Sequence, residues 1–437
     1  MKITIHRGTN QIGGCITEIQ SAKGDKILID FGHNLPEGDK PAQDKYDEEE
    51  NVLNQLEGVS DVYYTHYHGD HISFESEIYR AGVTQHIGEL SLTMVKTLKQ
   101  HMLHADSLKE RASKSLEALE HFRIYKPKHT ETVGDIRITP YFVSHSAADA
   151  YMFLIECDGI TVLHTGDFRD HGYMGGGLMK NLKVNVVPKH VDVIITEGTM
   201  LARKDEKVLS EWDIQNETKS LMSQYKNAFV LCSSTDVDRF VSMFQATKHQ
   251  RNWRDSDYPR WFVTDAYQGD QILNIKNNLN GIYSDIIFKV YNKDFLPNMV
   301  KNGFTMLVRN TKTFEKYLAE IVPHIDLNET VFIYSQFKGY IDQTHSAFKQ
   351  STYDFVHKYK WHLKELHTSG HASCKTLAEV CNLVNPSLAI IPIHKEADTD
   401  FASLPISSEL KKKIVTKSMI LEKENGDFVI FEVKVSD

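Results

Sequence analysis

His66-Tyr67-His68-Gly69-Asp70-His71 is the stretch whose reading decides the fold. Three imidazoles and a carboxylate fall within six residues, directly behind Asp61–Thr65, which reads as a short strand. On a strand, residues two apart share a face, so His66 and His68 can reach one ion. A turn at Gly69 lets Asp70 and His71 swing toward a second. Clustered, unpaired imidazoles have few uses besides holding a cation. Nitrogen and carboxylate donors without sulfur suit zinc, with manganese or iron as alternatives.

Two ions need more donors, and three candidates each follow an apolar strand. His145 ends the run from Ile136, Asp167 follows Thr161–Thr165, and His394 follows Leu388–Pro392. Taken singly, His145 reads as a buried hydrogen-bonder, Asp167 as a turn residue and His394 as a loop residue. Their shared position after strands raises all three, because strand ends gather on one edge of a sheet. His164 is read as structural, since it would compete with Asp167 for space.

Outward from this cluster the pattern is strand, helix, strand. Lys2–Arg7, Cys15–Gln20 and Lys26–Phe31 read as strands, with a tight turn at Gly13-Gly14. Leu90–His121 carries apolar residues at helical spacing. Ile136–Val143, Tyr151–Glu156 and Val191–Thr196 are strand-like. The sum is an α/β sandwich with the sheets inside. From about residue 205 the texture becomes βα. Ser210–Gln224 reads as a helix, and Ala228–Cys232, Phe262–Thr264 and Val331–Tyr334 as buried strands. Ser233-Ser234-Thr235-Asp236 suits a helix N-cap. Residues 206–365 are therefore expected to form an inserted domain, between a first part (1–205) and a return segment (366–437). The last strand is expected at Phe428–Val435, behind an Asn425-Gly426 turn.

Bulk properties agree with a globular chain of two domains, or of one domain carrying a large insertion. The length of 437 residues exceeds one ordinary core. Five scattered cysteines without a C-x-x-C pair argue against a disulfide framework and a thiolate zinc site, so a reducing cytoplasm is expected. There is no run of eighteen apolar residues, so no transmembrane helix is expected. Met1–Arg7 reads directly as a strand and not as an apolar h-region, so secretion is not expected. A net charge of −9 opposes simple attraction to nucleic acid without excluding it. Nothing indicates an oligomer.

The ordered set resembles the metallo-β-lactamase superfamily. The resemblance rests on the Gly13-Gly14 turn, Leu28-Ile29-Asp30-Phe31-Gly32, the H-x-H-x-D-H run, His145 and Thr165-Gly166-Asp167. Glu197-Gly198-Thr199, His367-Thr368-Ser369-Gly370-His371 and Pro392-Ile393-His394 resemble the A, B and C motifs of its β-CASP nucleases, and among those the ribonuclease J family. This implies an αββα metallo-β-lactamase sandwich with an inserted β-CASP α/β domain. It also implies two divalent metal ions: His66, His68 and His145 on one, Asp70, His71 and His394 on the other, with Asp167 bridging. Asp30 would orient a ligand histidine, and Glu197 would brace the site near His371. The implied reaction is cleavage of nucleic acid, RNA ahead of DNA, by a hydroxide held between the metals. Asp70 would take the water's proton, and His371 would stabilise the phosphorane or protonate the leaving oxygen. His367, Ser369 and the Gly370 amide would bind a phosphate. Ser233 and Ser234 sit at a strand-to-helix junction that suits a phosphate or a plain cap.

Three departures from that family stand out. Lys395 replaces a glycine, Ser335-Gln336-Phe337-Lys338-Gly339 replaces a serine-rich Pro-Gly-Asn stretch, and a further C-terminal domain is not expected after Asp437. The first two bear on substrate recognition and the third on assembly. Two rival readings stay open: a small-molecule ester, thioester or lactone hydrolase on the same metal core, and a non-catalytic nucleic-acid-binding protein. The stretch Lys248, His249, Arg251, Trp253, Arg254, Arg260, Trp261 is read as a solvated helix end with one buried tryptophan rather than a stacking platform. Lys411-Lys412-Lys413 is read as a solvated face.

Overall fold

A computed structural model describes residues 1–36, 38–40, 49–250, 259–416, 418–424 and 427–432. Three sheets organise them. The first part of the chain supplies β1 (Lys2–Arg7), β2 (Ile16–Gln20), β3 (Lys26–Ile29), β4 (Asp61–Tyr63), β5 (Thr84–Ile87) and β6 (Arg123–Ile124). It continues with β7 (Glu131–Val133), β8 (Ile136–Val143), β9 (Ala150–Cys157), β10 (Ile160–His164) and β11 (Val193–Glu197). The middle supplies β12 (Asn227–Cys232), β13 (Trp261–Thr264), β14 (Lys289–Val290), β15 (Phe304–Val308), β16 (Thr330–Ser335) and β17 (His362–Glu365). The return supplies β18 (Ala389–Ile393), β19 (Met419–Glu424) and β20 (Asp427–Glu432).

The first sheet runs β20-β19-β1-β2-β3-β4-β5-β6 and the second β18-β11-β10-β9-β8-β7. They face one another across a shared core to which Ile3, Ile19 and Ile29 contribute from one side and Phe153, Val162, Ile195 and Ile391 from the other. Helices cover both outer faces, among them Glu89–Met102 on the first and Cys374–Val384 on the second. The third sheet, β14-β13-β15-β12-β16-β17, is parallel throughout. Its strands β12, β15 and β16 are buried at every position, as expected of a parallel sheet covered on both faces.

Several expectations are corrected. The expected helix Leu90–His121 is two helices, Glu89–Met102 and Lys109–Leu119. The polar stretch His104-Ala105-Asp106-Ser107 interrupts the apolar stripe between them. The strand expected to run to Thr65 stops at Tyr63, and the one expected to run to Phe31 stops at Ile29. The helix Val237–His249 is capped by Asp236, whose side chain accepts from the Arg239 amide, and not by Ser233 or Ser234. Arg260 is buried, its guanidinium donating to the carbonyls of Met222 and Tyr225, so it is no phosphate ligand. Arg251, Trp253, Arg254, the Asn425-Gly426 turn and residues 433–435 lie outside the described residues. All five cysteines are free. No described helix is long and apolar enough to cross a membrane.

One buried ionic cluster, not anticipated from the sequence, ties the segments together. Arg169, Arg239 and Glu211 are fully buried. Arg169 donates to Glu211 (3.2 Å), to Asp238 (2.9 Å) and to the carbonyl of Ser369 (3.1 Å). Arg239 donates to both Glu211 oxygens (3.2 and 3.0 Å), to the carbonyl of Thr368 (3.4 Å) and to Ser335. Burial pushes the Glu211 carboxyl up, but Arg239 and Arg169 outweigh it and hold it at about 2. Its stabilising contribution is thus complete above the ordinary glutamate range and is lost as pH falls toward 2. Arg239→Ala, which leaves buried Glu211 with Arg169 as its one arginine partner, should cost about 3–5 kcal/mol in a denaturant titration at neutral pH. The penalty should shrink as pH falls through the ordinary glutamate range, where protonation relieves the under-paired carboxylate. A loss below 1 kcal/mol, or one independent of pH, would contradict this account.

Candidate metal centre

The residues singled out in the sequence meet at the carboxyl ends of the strands, the usual ligand edge of α/β sheets. Asp30 follows β3, the 66–71 run follows β4, His145 follows β8, Asp167 follows β10, Glu197 ends β11 and His394 follows β18. Asp30 and His394 both adopt left-handed backbone, φ 59° and 51°, so the chain turns sharply just past each strand. His66 and His68 do converge, but not by strand alternation, because the strand has already ended. The glycine at position 32 is required here. A Cβ there would lie 2.0 Å from the Asp70 carbonyl carbon.

Among the described residues, four groups of donor atoms, within 4.8 Å of one another in each group, could hold a metal ion: His66, His68 and His145; His66, His71 and Asp167; Asp70, His71 and His394; His145, Asp167 and His371. Hydrogen bonds settle which nitrogen of each ring faces inward. Asp30 accepts from the Thr65 amide (2.7 Å) and hydroxyl (2.8 Å) and from His71 Nδ1 (2.8 Å). With its proton on Asp30, the Thr65 hydroxyl accepts from His66 Nδ1 (3.0 Å). The Nε2 atom of His66 is left buried with no hydrogen-bond partner, and that of His71 faces the Asp167 carboxylate at 3.0 Å. An orphaned acceptor such as His66 Nε2 is costly in a protein interior and fits a metal-ligand role. His145 Nδ1 bonds the Gly370 carbonyl (2.7 Å), which leaves Nε2 facing His68 Nδ1 at 3.2 Å. His394 Nδ1 bonds the Thr199 hydroxyl (2.7 Å), and its Nε2 lies 3.3 Å from Asp70 and 3.5 Å from Asp167.

The electrostatics suit a cation. Burial depresses the basicity of His66, His68 (to about 4) and His145, keeping these imidazoles neutral and able to donate a lone pair. Burial pushes the Asp70 and Asp167 carboxyls up, but His71 and His394 around them outweigh it and hold both well below the usual range. His371 behaves in the opposite sense. Burial lowers it, Glu197 (3.0 Å) and Asp167 outweigh that, and its basicity is raised. Glu197 also accepts from the amides of Phe168 and Ala372. Thr199, which bridges His394 and His371, was missed as a site residue; the Glu197-Gly198-Thr199 run was the available signal.

A cleft of about 760 Å³ adjoins the centre, lined in part by Ser233, His367, Ser369, Gly370 and His371. Gly370 sits so close to Ser146 that a Cβ would fall 2.5 Å from its Oγ. His367 is held neutral, at about 3, by burial and by Arg239. Ser234 is not among the lining residues, and its hydroxyl accepts from Gln268. Lys395 is buried, with its ammonium on the carbonyls of Glu396 and Thr399. His164 accepts from the Gly166 amide and joins none of the four groups.

No protein-family model matches this chain. Ribonuclease J of Helicobacter pylori is 27% identical over 173 residues, 39% of this chain and 24% of the relative. Endoribonuclease YSH1 of Gibberella zeae is 27% identical over 208 residues, 44% of this chain and 23% of the relative. The chain spans about a quarter of the length of these curated relatives. It is thus distantly similar to β-CASP metallo-β-lactamase nucleases. A crystal structure of a protein of unknown function from Enterococcus faecalis covers 98% of this chain and 99% of its own, with a TM-score of 0.68 and 17% identity, a likeness of fold. If Asp30 orients His66 and His71 as the hydrogen bonds indicate, Asp30→Ala should weaken zinc binding roughly 10–100-fold in a chelator competition. Unchanged affinity would remove Asp30 from that role.

Proposed function

We propose that this chain is a metal-dependent phosphodiesterase that cleaves nucleic acid, RNA ahead of DNA. In this reading residues 1–205 and 366–437 make a metallo-β-lactamase sandwich and 206–365 a β-CASP domain. The observation that carries it is the adjacency of two donor clusters, His66–His68–His145 and Asp70–His71–His394, with Asp167 within reach of both, beside the cleft lined by His367 to His371. The distant similarity to ribonuclease J and endoribonuclease YSH1 supports the same chemistry.

A pair of divalent cations, zinc or manganese, would supply charge neutralisation at the phosphoryl oxygens and an acidified water. The rest falls to the chain. Asp70, ionised and only partly buried, accepts the proton of the attacking water. His371, held protonated by Glu197, donates to a phosphoryl oxygen or to the leaving 3′ oxygen. His367, Ser369 and Ser233 position a neighbouring phosphate from the cleft wall. Ester hydrolysis is the competing reading, favoured by the scarcity of cationic side chains in the cleft.

The test is turnover of the zinc- or manganese-loaded protein on 5′-monophosphate RNA, 5′-hydroxyl RNA, single-stranded DNA and a generic ester. RNA cleavage is expected, abolished by Asp70→Ala. His371→Ala should keep its metal and lose about 10²–10⁴ in kcat. Turnover of the ester alone would refute the reading, and metal loss in His371→Ala would move that residue into the ligand set.

A further inference from the structure

Building on the phosphodiesterase reading, we infer that the cleft selects short oligonucleotides, of about dinucleotide size, and that Arg203 and Phe337 hold the end of the substrate away from the metals.

Three independent features point there. The first is size and closure. A cleft of about 760 Å³ lies in the range that encloses a single small ligand, ~300–1,000 Å³. Its two walls meet on one side. Leu35 and Pro36 line one wall, Ser346 and Ala347 the other. Just beyond them a Cβ on Gly38 would lie 2.6 Å from the Phe348 carbonyl, and Asp39 accepts from the Ser351 amide (3.1 Å) and hydroxyl.

The second is charge. A long strand is held through a lysine or arginine at phosphate after phosphate. Among the described residues lining the cleft, Arg203 is the one such side chain, and Asp236 and Glu396 oppose it. The adjoining hollow of about 460 Å³ adds Lys338 but also Glu206, Asp342 and Glu365. No cationic track leads out of the site among these residues.

The third is the aromatic lining. Phe337 packs edge-on to Tyr340 (5.5 Å) and His345 (5.1 Å), and the Arg203 guanidinium lies 4.6 Å over the Phe337 ring. Arginine planes and aromatic rings stack on bases, and the same guanidinium can pair with a phosphate. Phe337 and Tyr340 both follow β16 closely and line the cleft, and Phe337 lines the adjoining hollow as well.

The experiment compares kcat/KM of the metal-loaded protein on a 5′-phosphorylated diribonucleotide and on a single-stranded RNA twenty nucleotides long. Bis(p-nitrophenyl) phosphate serves as a probe of phosphodiester chemistry. The dinucleotide should exceed the long strand by tenfold or more. Arg203→Ala and Phe337→Ala should each raise KM for the dinucleotide roughly tenfold. Equal or faster cleavage of the long strand by the unmodified protein would overturn the inference, as would unchanged KM in both variants. Failure to cleave any of the three substrates would instead sink the phosphodiesterase reading, and this inference with it.

Discussion

Imidazole lone pairs and carboxylates aimed at one another in a largely buried place are the constraint around which the molecule is arranged. His66 presents a buried nitrogen with no hydrogen-bond partner, His71 faces Asp167 at 3.0 Å, and Asp70 and Asp167 stay ionised beside them. Such an assembly is tolerable only when positive charge is supplied, by protons on His71 and His371 or by a cation. The backbone serves the same end. Left-handed turns at Asp30 and His394 swing side chains over the sheet edge, and Gly32 lets the Asp70–His71 backbone approach the turn after β3.

The His367–His371 loop depends on a second, quite different device. Its carbonyls at Thr368 and Ser369 accept from Arg239 and Arg169, and both arginines share Glu211. One carboxylate therefore sets the height of a loop that lines the cleft and, through Gly370, the orientation of His145. Buried ion clusters are weak sources of net stability but strong constraints on geometry, since a partner removed leaves a charge stranded. This suits a loop contributed by one part of the chain and packed against two others.

Much of the site was legible in the sequence, because its chemistry is unusual in composition. Three histidines and an aspartate inside 66–71 have no common structural use, and His145, Asp167 and His394 were found by their place after apolar strands. The apolar strands of the third sheet were readable for the same reason, as β12 and β16 carry continuous buried runs. What stayed hidden was polar and buried. Strand β5, Thr84-Gln85-His86-Ile87, reads as hydrophilic, yet Gln85 and His86 are interior, satisfied by Tyr64 (2.7 Å) and Asp61 (2.7 Å). Arg169, Glu211 and Arg239 were invisible likewise, since each looks like a surface charge until its partners, up to two hundred positions away along the chain, are folded onto it. The cap expected within Ser233–Asp236 is there, and it is the Asp236 carboxylate rather than a hydroxyl that makes it.

The edge position of β18 has a consequence during synthesis. That strand pairs with β11 and delivers His394, and it leaves the ribosome after every other contributor to the centre. A nascent chain that has folded its early strands therefore exposes an unfinished sheet edge and an incomplete donor set. The donor set is complete only once translation has passed the final histidine.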